Sequence, residues 1–141
     1  MLKDITNDLG IARGLSPVAA GTDNTPYVSQ ILDLQGKTGA AFVILIGANT
    51  DANATFTVLV EHGDDAALSD NTAVADDQLN LTEASASFDF ADDNQVRKIG
   101  YRGDKRYARV TITPAGNDSG NIFIAGVWVY TAESMPVAQP S

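Results

Sequence analysis

The sequence of 141 residues has no cysteine, no long apolar run and few basic residues. Because cysteine is absent, disulfides, thiolate metal sites and a cysteine nucleophile are excluded, and stability must come from packing and association. No segment approaches the roughly 20 apolar residues that a membrane span needs, and the charged N-terminal residues do not fit a secretory signal. We therefore expect a soluble protein that is made in the cytoplasm and has no membrane partner.

The charge balance is acidic, with 9 Lys and Arg against 18 Asp and Glu and a net charge of −9. This balance opposes nonspecific attraction to nucleic acid, so we expect no nucleic-acid partner. The basic side chains that follow Asn94 are concentrated in one segment, which predicts a basic docking patch formed by Arg97, Lys98, Arg102, Lys105, Arg106 and Arg109. The alternative is a solvated strand edge and turn whose charges prevent edge pairing.

Catalytic and metal-binding motifs are scarce in this sequence. His62 lies beside Glu61, but no G-x-S-x-G or H-E-x-x-H motif accompanies it, so a surface position is favoured over a catalytic role. The aspartates of residues 64–93 offer the oxygen ligands that calcium prefers, but none has the spacing of a calcium-binding loop. Two distant carboxylates can support glycoside hydrolysis, and no particular pair is indicated. We expect no enzymatic activity, no cofactor and no bound metal.

Two segments are apolar at both odd and even positions, namely residues 40–46 (AAFVILI) and 122–130 (IFIAGVWVY). Successive side chains of a strand point to opposite faces, so a strand with one wet face alternates apolar and polar residues. These two segments do not alternate, and in so short a chain we expect another protein to cover the second face. This reasoning predicts an oligomer interface that contains Phe123, Val127, Trp128 and Tyr130.

Turn-forming residues separate roughly six to eight short strands, which favours an all-β fold, an antiparallel β-sandwich or a jelly-roll-like barrel. Two hairpins are predicted, one joining residues 40–46 to 54–62 and the other joining residues 97–101 to 107–113. The predicted β-sandwich domain spans residues 27–131. An extended N-terminal arm (1–26), interrupted by glycine and proline, precedes it, and a C-terminal tail (132–141) follows it.

Four segments and an apolar final strand cover most of the chain: MLKDITNDLGIARGLSP, ILDLQGKTGAAFVILIG, TFTVLVEHGDD and DDNQVRKIGYRGDKRYARVTITPAG. Together they resemble the small head decoration, or cement, proteins of tailed bacteriophages. The resemblance implies an all-β body and a homo-oligomer, most often a trimer. It also implies attachment to the major capsid protein lattice, where capsid subunits meet on the exterior of the virion. It implies no catalytic residue.

A protein that binds only the assembled shell stabilises that shell by mass action. An arm that orders on the lattice lengthens the reach of such a protein at an entropic cost. We predict that the capsid-binding arm uses the apolar residues Leu2, Ile5, Leu9, Ile11 and Leu15. The alternative is a frayed terminus without a partner.

Three other functions stay open at the level of sequence. A phage tail or head-to-tail connector protein would share the sheets but form rings or tubes. A carbohydrate-binding or adhesive β-sandwich module would present exposed aromatic side chains, for which the candidates are Tyr101, Tyr107, Trp128 and Tyr130. A hydrolase would need His62 or a pair of carboxylates.

Overall fold

The computed structural model describes residues 4–134 and 137–139. About half of these residues lie in strands, and the other elements are two short helices and one 3₁₀ turn (Asp76–Gln78). The elements in chain order are α1 (Ile5–Asp8), β1 (Gly10–Leu15), β2 (Tyr27–Val28), β3 (Leu32–Asp33), β4 (Lys37–Asn49), β5 (Thr55–Gly63), β6 (Thr72–Ala73), β7 (Leu79–Asn80), α2 (Glu83–Ala86), β8 (Phe88–Asp89), β9 (Val96–Tyr101), β10 (Tyr107–Ala115) and β11 (Ile122–Ala132).

Two antiparallel sheets pack face to face around one apolar core, which confirms the predicted β-sandwich. The five-stranded sheet has the order β1-β11-β4-β9-β7. The six-stranded sheet has the order β2-β10-β5-β6, and β3 and β8 pair with β10 and β5 respectively. The strands that contain the two apolar segments, β4 and β11, are therefore neighbours in the same sheet.

The core forms where the inward side chains of the two sheets meet. Phe42 of β4 contacts Trp128 of β11 edge to face, with ring centroids 5.0 Å apart. The indole nitrogen of Trp128 donates a hydrogen bond of 3.0 Å to the backbone carbonyl of Gln30, so this buried polar group has a partner. A second aromatic pair, Phe56 and Phe88, stacks at 4.7 Å and anchors the short strand β8 to β5.

Both predicted hairpins are wrong, because the strands of each pair lie in different sheets. β4 pairs with β11 and β9, whereas β5 pairs with β10. β9 likewise belongs to the five-stranded sheet and β10 to the six-stranded sheet. The connections from β4 to β5 and from β9 to β10 cross from one sheet to the other. Turn-forming residues occur in such crossings as well as in tight hairpins. Local turn chemistry therefore does not identify the partner of a strand.

The predicted N-terminal arm is wrong over β1, which is an edge strand of the five-stranded sheet and pairs with β11. Its glycines allow this pairing where aromatic rings cross the strand. A Cβ atom on Gly10 would overlap the ring of Tyr130, and one on Gly14 would overlap the ring of Phe42. The glycines that interrupt the sequence pattern are thus the residues that let this strand pack closely.

The acidic segment between β5 and β9 closes one edge of the six-stranded sheet. The backbone amide of Val58 donates to Ser87 Oγ at 3.0 Å, and that of Val60 donates to Glu83 Oε1 at 2.7 Å. The carbonyl of Val60 accepts a hydrogen bond from the amide of Val74 at 3.0 Å. Helix α2 and its flanking residues therefore occupy an edge that would otherwise be open to pairing with another chain.

We expect Glu83→Ala to lower the free energy of unfolding by about 1–3 kcal/mol, because the buried amide of Val60 would lose its acceptor. Glu83→Gln is the matched control, since its side-chain carbonyl keeps an acceptor at the same position. Urea unfolding followed by circular dichroism measures both values. Equal losses for the two variants would show that the hydrogen bond to Val60 contributes nothing.

Candidate functional site

The outer face of the five-stranded sheet is apolar, because β4 and β11 lie side by side and each turns half of its apolar side chains away from the core. Leu45 and Val96 are each 56% exposed, Phe123 is 46% exposed and Val127 is 42% exposed. Single surface hydrophobic residues are ordinary, but a contiguous patch marks an interaction site. We call this surface the apolar face; its members are Ile11, Ala41, Val43, Leu45, Val96, Phe123, Ala125, Val127 and Val129.

One row of side chains crosses four neighbouring strands on the apolar face, and each end of this row carries a positive charge. Arg13 of β1 lies opposite Val127 of β11. Val127 lies opposite Val43 of β4, which in turn lies opposite Lys98 of β9. Adjacent strands are about 4.8 Å apart, so the two cations bracket about 14 Å of apolar surface. The four strands that carry this row, β1, β4, β9 and β11, contain no Asp or Glu.

A shallow trough of about 270 Å³ lies between this row and the neighbouring row of side chains. A cavity of about 150 Å³ can hold a benzene molecule, so the trough has room for one large apolar side chain of a partner. Its lining residues are Val43, Leu45, Val96, Ala125, Gly126 and Val127.

The outer face of the six-stranded sheet is different, because β5 and β10 alternate apolar with polar residues. Arg109 and Glu61 form an ion pair of 3.2 Å on this side of the sandwich. Thr111 donates a hydrogen bond of 3.3 Å to the same carboxylate oxygen. The unpartnered apolar surface is therefore a property of one side of the sandwich.

Phe123 and Val127 of the predicted interface project outward on the apolar face. Trp128 is 1% exposed and packs against Phe42, so its predicted place at an interface is wrong. The reason is the alternation itself, since the residue that follows an outward Val127 must point into the core. Tyr130 is half-buried, and the ammonium of Lys37 lies 4.6 Å from its ring.

Several members of the apolar face were absent from the predicted interface. Val43 and Leu45 lie in the segment 40–46. Its two-sided apolar pattern indicated a covered second face, as the pattern of β11 did. No such pattern indicated Val96, or Arg13 beside the face, because their positions depend on which distant strands pair.

The predicted basic docking patch is not a single surface. Lys98 projects from the five-stranded sheet, whereas Arg109 lies on the opposite side of the sandwich. Four of the predicted members form ion pairs within the chain, at 2.9 to 3.2 Å: Arg97, Lys105, Arg106 and Arg109. Their charges are balanced by carboxylates of the same subunit, and the predicted single patch is wrong because its members lie on different sides of the sandwich. Within the described residues, Lys98 and Arg102 are the two members that make no such pair.

The predicted arm residues do not share one role. Leu15 is 9% exposed and belongs to the core, so its predicted contact with a capsid is wrong. Leu2 lies outside the described residues. The other three line a cavity of about 650 Å³ that Val137 of the C-terminal segment also lines: Ile5, Leu9 and Ile11.

His62 is buried, so its predicted surface position is wrong. It is 6% exposed, and its Nδ1 lies 2.8 Å from the hydroxyl of Tyr101, which also accepts a hydrogen bond from the amide of Lys105. Burial is the main cause of the raised pKa of Tyr101. Across residues 4–134 and 137–139, no group of three or more His, Asp or Glu side chains is arranged to hold a metal ion. Over the same residues, no helix has the length and apolar character needed to cross a membrane.

No protein-family model and no curated protein sequence matches the chain. Among solved structures, the PBSX exported protein XepA is similar over 100% of this chain and 43% of its own chain, with 13% identity and a TM-score of 0.54. The chain thus spans less than half the length of XepA. Likeness at this level of identity shows a shared fold alone.

Two further solved structures match at lower scores. The C-terminal domain of a chitobiase from Bacteroides fragilis matches 81% of this chain and 69% of its own, with 17% identity and a TM-score of 0.42. The xylan-binding module CBM15 matches 93% of this chain and 95% of its own, with 13% identity and a TM-score of 0.44. Scores this low carry no argument about function.

We expect Arg106→Gln to raise the pKa of Asp33, which hydrogen bonds from Arg106 lower to about 2, back toward 3.8. A carboxyl with a lowered pKa stabilises the fold above its ordinary pKa, and this contribution is lost as the pH falls toward the lowered value. The stability difference between the two proteins is therefore present near neutral pH and absent below about pH 2. It is small, because both side chains are nearly half exposed.

A carboxyl-detected NMR titration measures the pKa of Asp33 directly. Lys105→Gln is the control, since Lys105 pairs with Asp64 and should leave Asp33 unchanged. An unaltered Asp33 pKa in Arg106→Gln would contradict the assigned cause.

Proposed function

We propose that this protein is a virion structural protein of a tailed bacteriophage, a head decoration protein that assembles as a homo-oligomer on the exterior of the capsid lattice and catalyses no reaction. The observation that carries this proposal is the apolar face, which a lone subunit leaves in water. The fold shared with XepA, an exported protein of phage PBSX, supports a phage origin.

The size of the apolar face suits a contact that is repeated many times. Its five most exposed large side chains are each about half exposed: Ile11, Leu45, Val96, Phe123 and Val127. Fully burying an exposed side chain of this kind contributes about 1.5–3 kcal/mol, so covering the face contributes on the order of 5 kcal/mol. Association costs about 4–15 kcal/mol of lost freedom, so one such contact is weak by itself. An assembly that presents many copies at once makes weak contacts sufficient.

The N-terminal segment offers a second kind of contact. Ile5 is 68% exposed and Val18 is 88% exposed, and neither lies on the apolar face. Burying these two side chains against a second protein would remove apolar surface from water while the apolar face is occupied. This division supports a subunit that contacts its own copies through the sheet and the capsid lattice through its N-terminal segment.

A carbohydrate-binding or adhesive module is the second candidate function. The predicted aromatic platform does not form, because Tyr101 and Trp128 are 5% and 1% exposed and Tyr107 and Tyr130 are half-buried. Phe123, at 46% exposed, is the aromatic ring on the apolar face. A glycan ligand would therefore stack on Phe123, and loss of glycan retention in Phe123→Ala with unchanged oligomeric mass would support this second function.

We expect Val127→Lys to prevent self-association, because it places a charge in the middle of the apolar face. Val28→Lys is the matched control, since Val28 is 50% exposed on the outer face of the six-stranded sheet. Light scattering after size exclusion should give an oligomer for the natural chain and for the control and a monomer for Val127→Lys. Circular dichroism checks that both variants are folded.

Phage heads prepared without this protein test the decoration role. We expect the natural chain to sediment with such heads and to form regular density on the shell exterior in electron micrographs. Density at the tail or the portal would instead identify a tail or connector protein. A natural chain that is monomeric and does not sediment with heads would overturn the proposal.

A further inference from the structure

Phe90 is an exposed aromatic side chain outside the apolar face, with 41% of its surface in water. It lies in the acidic turn (residues 89–93), where Asp89, Asp92 and Asp93 surround it in sequence. The amide of Asp89 donates to Asp92 Oδ2 at 3.0 Å, and the amide of Phe90 donates to the carbonyl of Ala54 at 3.0 Å. These bonds fix the backbone of the turn. Binding through the ring of Phe90 therefore requires little additional ordering of the loop.

The acidic turn and the trough are complementary in shape and charge. The trough of about 270 Å³ exceeds the roughly 150 Å³ that holds a benzene molecule, so a phenyl ring fits. Arg13 and Lys98 stand at the two ends of the apolar row that forms one wall of the trough. Asp89 and Asp93 lie on either side of Phe90 in the turn, and neither forms an ion pair within the described residues. Opposite charges around an apolar contact fix its orientation and disfavour wrong partners.

We propose that the apolar face is covered by a second copy of this chain, whose acidic turn inserts Phe90 into the trough. Asp89 and Asp93, the carboxylates of the turn that form no ion pair within the described residues, then face Arg13 and Lys98 of the copy that provides the trough. This inference rests on the proposed function and names the surface that the assembling subunits share.

The charges disfavour the simpler arrangement in which two apolar faces pack on each other. A two-fold pair in which the two charged rows align would bring Arg13 and Lys98 of one copy against the same cations of the other. The strands of the face contain no Asp or Glu to offset this repulsion. Contact between the acidic turn and the trough replaces like charges with opposite charges.

The proposed contact joins two different surfaces of the subunit, so every copy can give its turn to one neighbour and receive a turn from another. Such heterologous contacts close into a ring when the rotation between copies permits. A closed ring leaves no trough and no acidic turn unoccupied, which suits a homo-oligomer of fixed size.

Two variants that each remove one side of the contact test this inference. Val127→Lys places a charge in the wall of the trough, and Phe90→Asp removes the ring from the turn. We expect each variant alone to be a monomer in analytical ultracentrifugation. An equimolar mixture should form a one-to-one pair and nothing larger, because the Phe90→Asp copy keeps a trough and the Val127→Lys copy keeps a turn. Phe90→Ala alone should weaken self-association by about tenfold.

Val28→Asp is the control for an added charge at an exposed position away from the contact, and it should assemble like the natural chain. Assembly of Phe90→Asp at the natural mass, or a mixture in which no pair forms, would overturn the proposed contact. Either result leaves the proposed function standing if the natural chain still decorates phage heads. A natural chain that is monomeric and does not sediment with phage heads would instead contradict the proposed function itself.

Discussion

The alternation of side chains along a strand is the constraint on which the rest of this structure depends. A sandwich of this size has one interior, so half of the apolar side chains of β4 and β11 enter the core and the other half cannot. Phe42 and Trp128 take inward positions, while Val43 and Val127 face outward. A slip of one residue in either strand would exchange the two sets and bring an aromatic ring to the surface. The register that builds the core therefore also creates the apolar face.

Features that depend on local pattern could be predicted from the sequence, and features that depend on pairing between distant segments could not. The two-sided apolar pattern correctly indicated that β11 has an uncovered face, and the bounds of β5 and β11 lie close to the predicted ones. The hairpins failed because turn-forming residues do not reveal whether the chain stays in its sheet. Arg13 lies beside the apolar face only because β1 pairs with β11, more than a hundred residues away in sequence.

The acidic segment between β5 and β9 stabilises the structure in several ways that its composition does not indicate. Asp64 and Asp92 pair with Lys105 and Arg97, which explains why a cluster of basic residues in the sequence does not become a basic surface. Glu83 occupies a strand edge that would otherwise recruit further strands. The same segment holds Phe90 outward in a turn tied to the core. This one segment thus compensates basic charges, protects a strand edge and holds an aromatic ring at the surface.

The single tryptophan of this protein lies inside the sandwich, with its indole nitrogen bonded to Gln30. Its fluorescence is therefore expected to follow the loss of internal packing rather than contacts on the exterior of the sheet. Folding and association have separate optical signatures in this molecule: the emission of Trp128 follows the first, while light scattering follows the second. The two equilibria can be resolved in one sample without attaching a label to either surface.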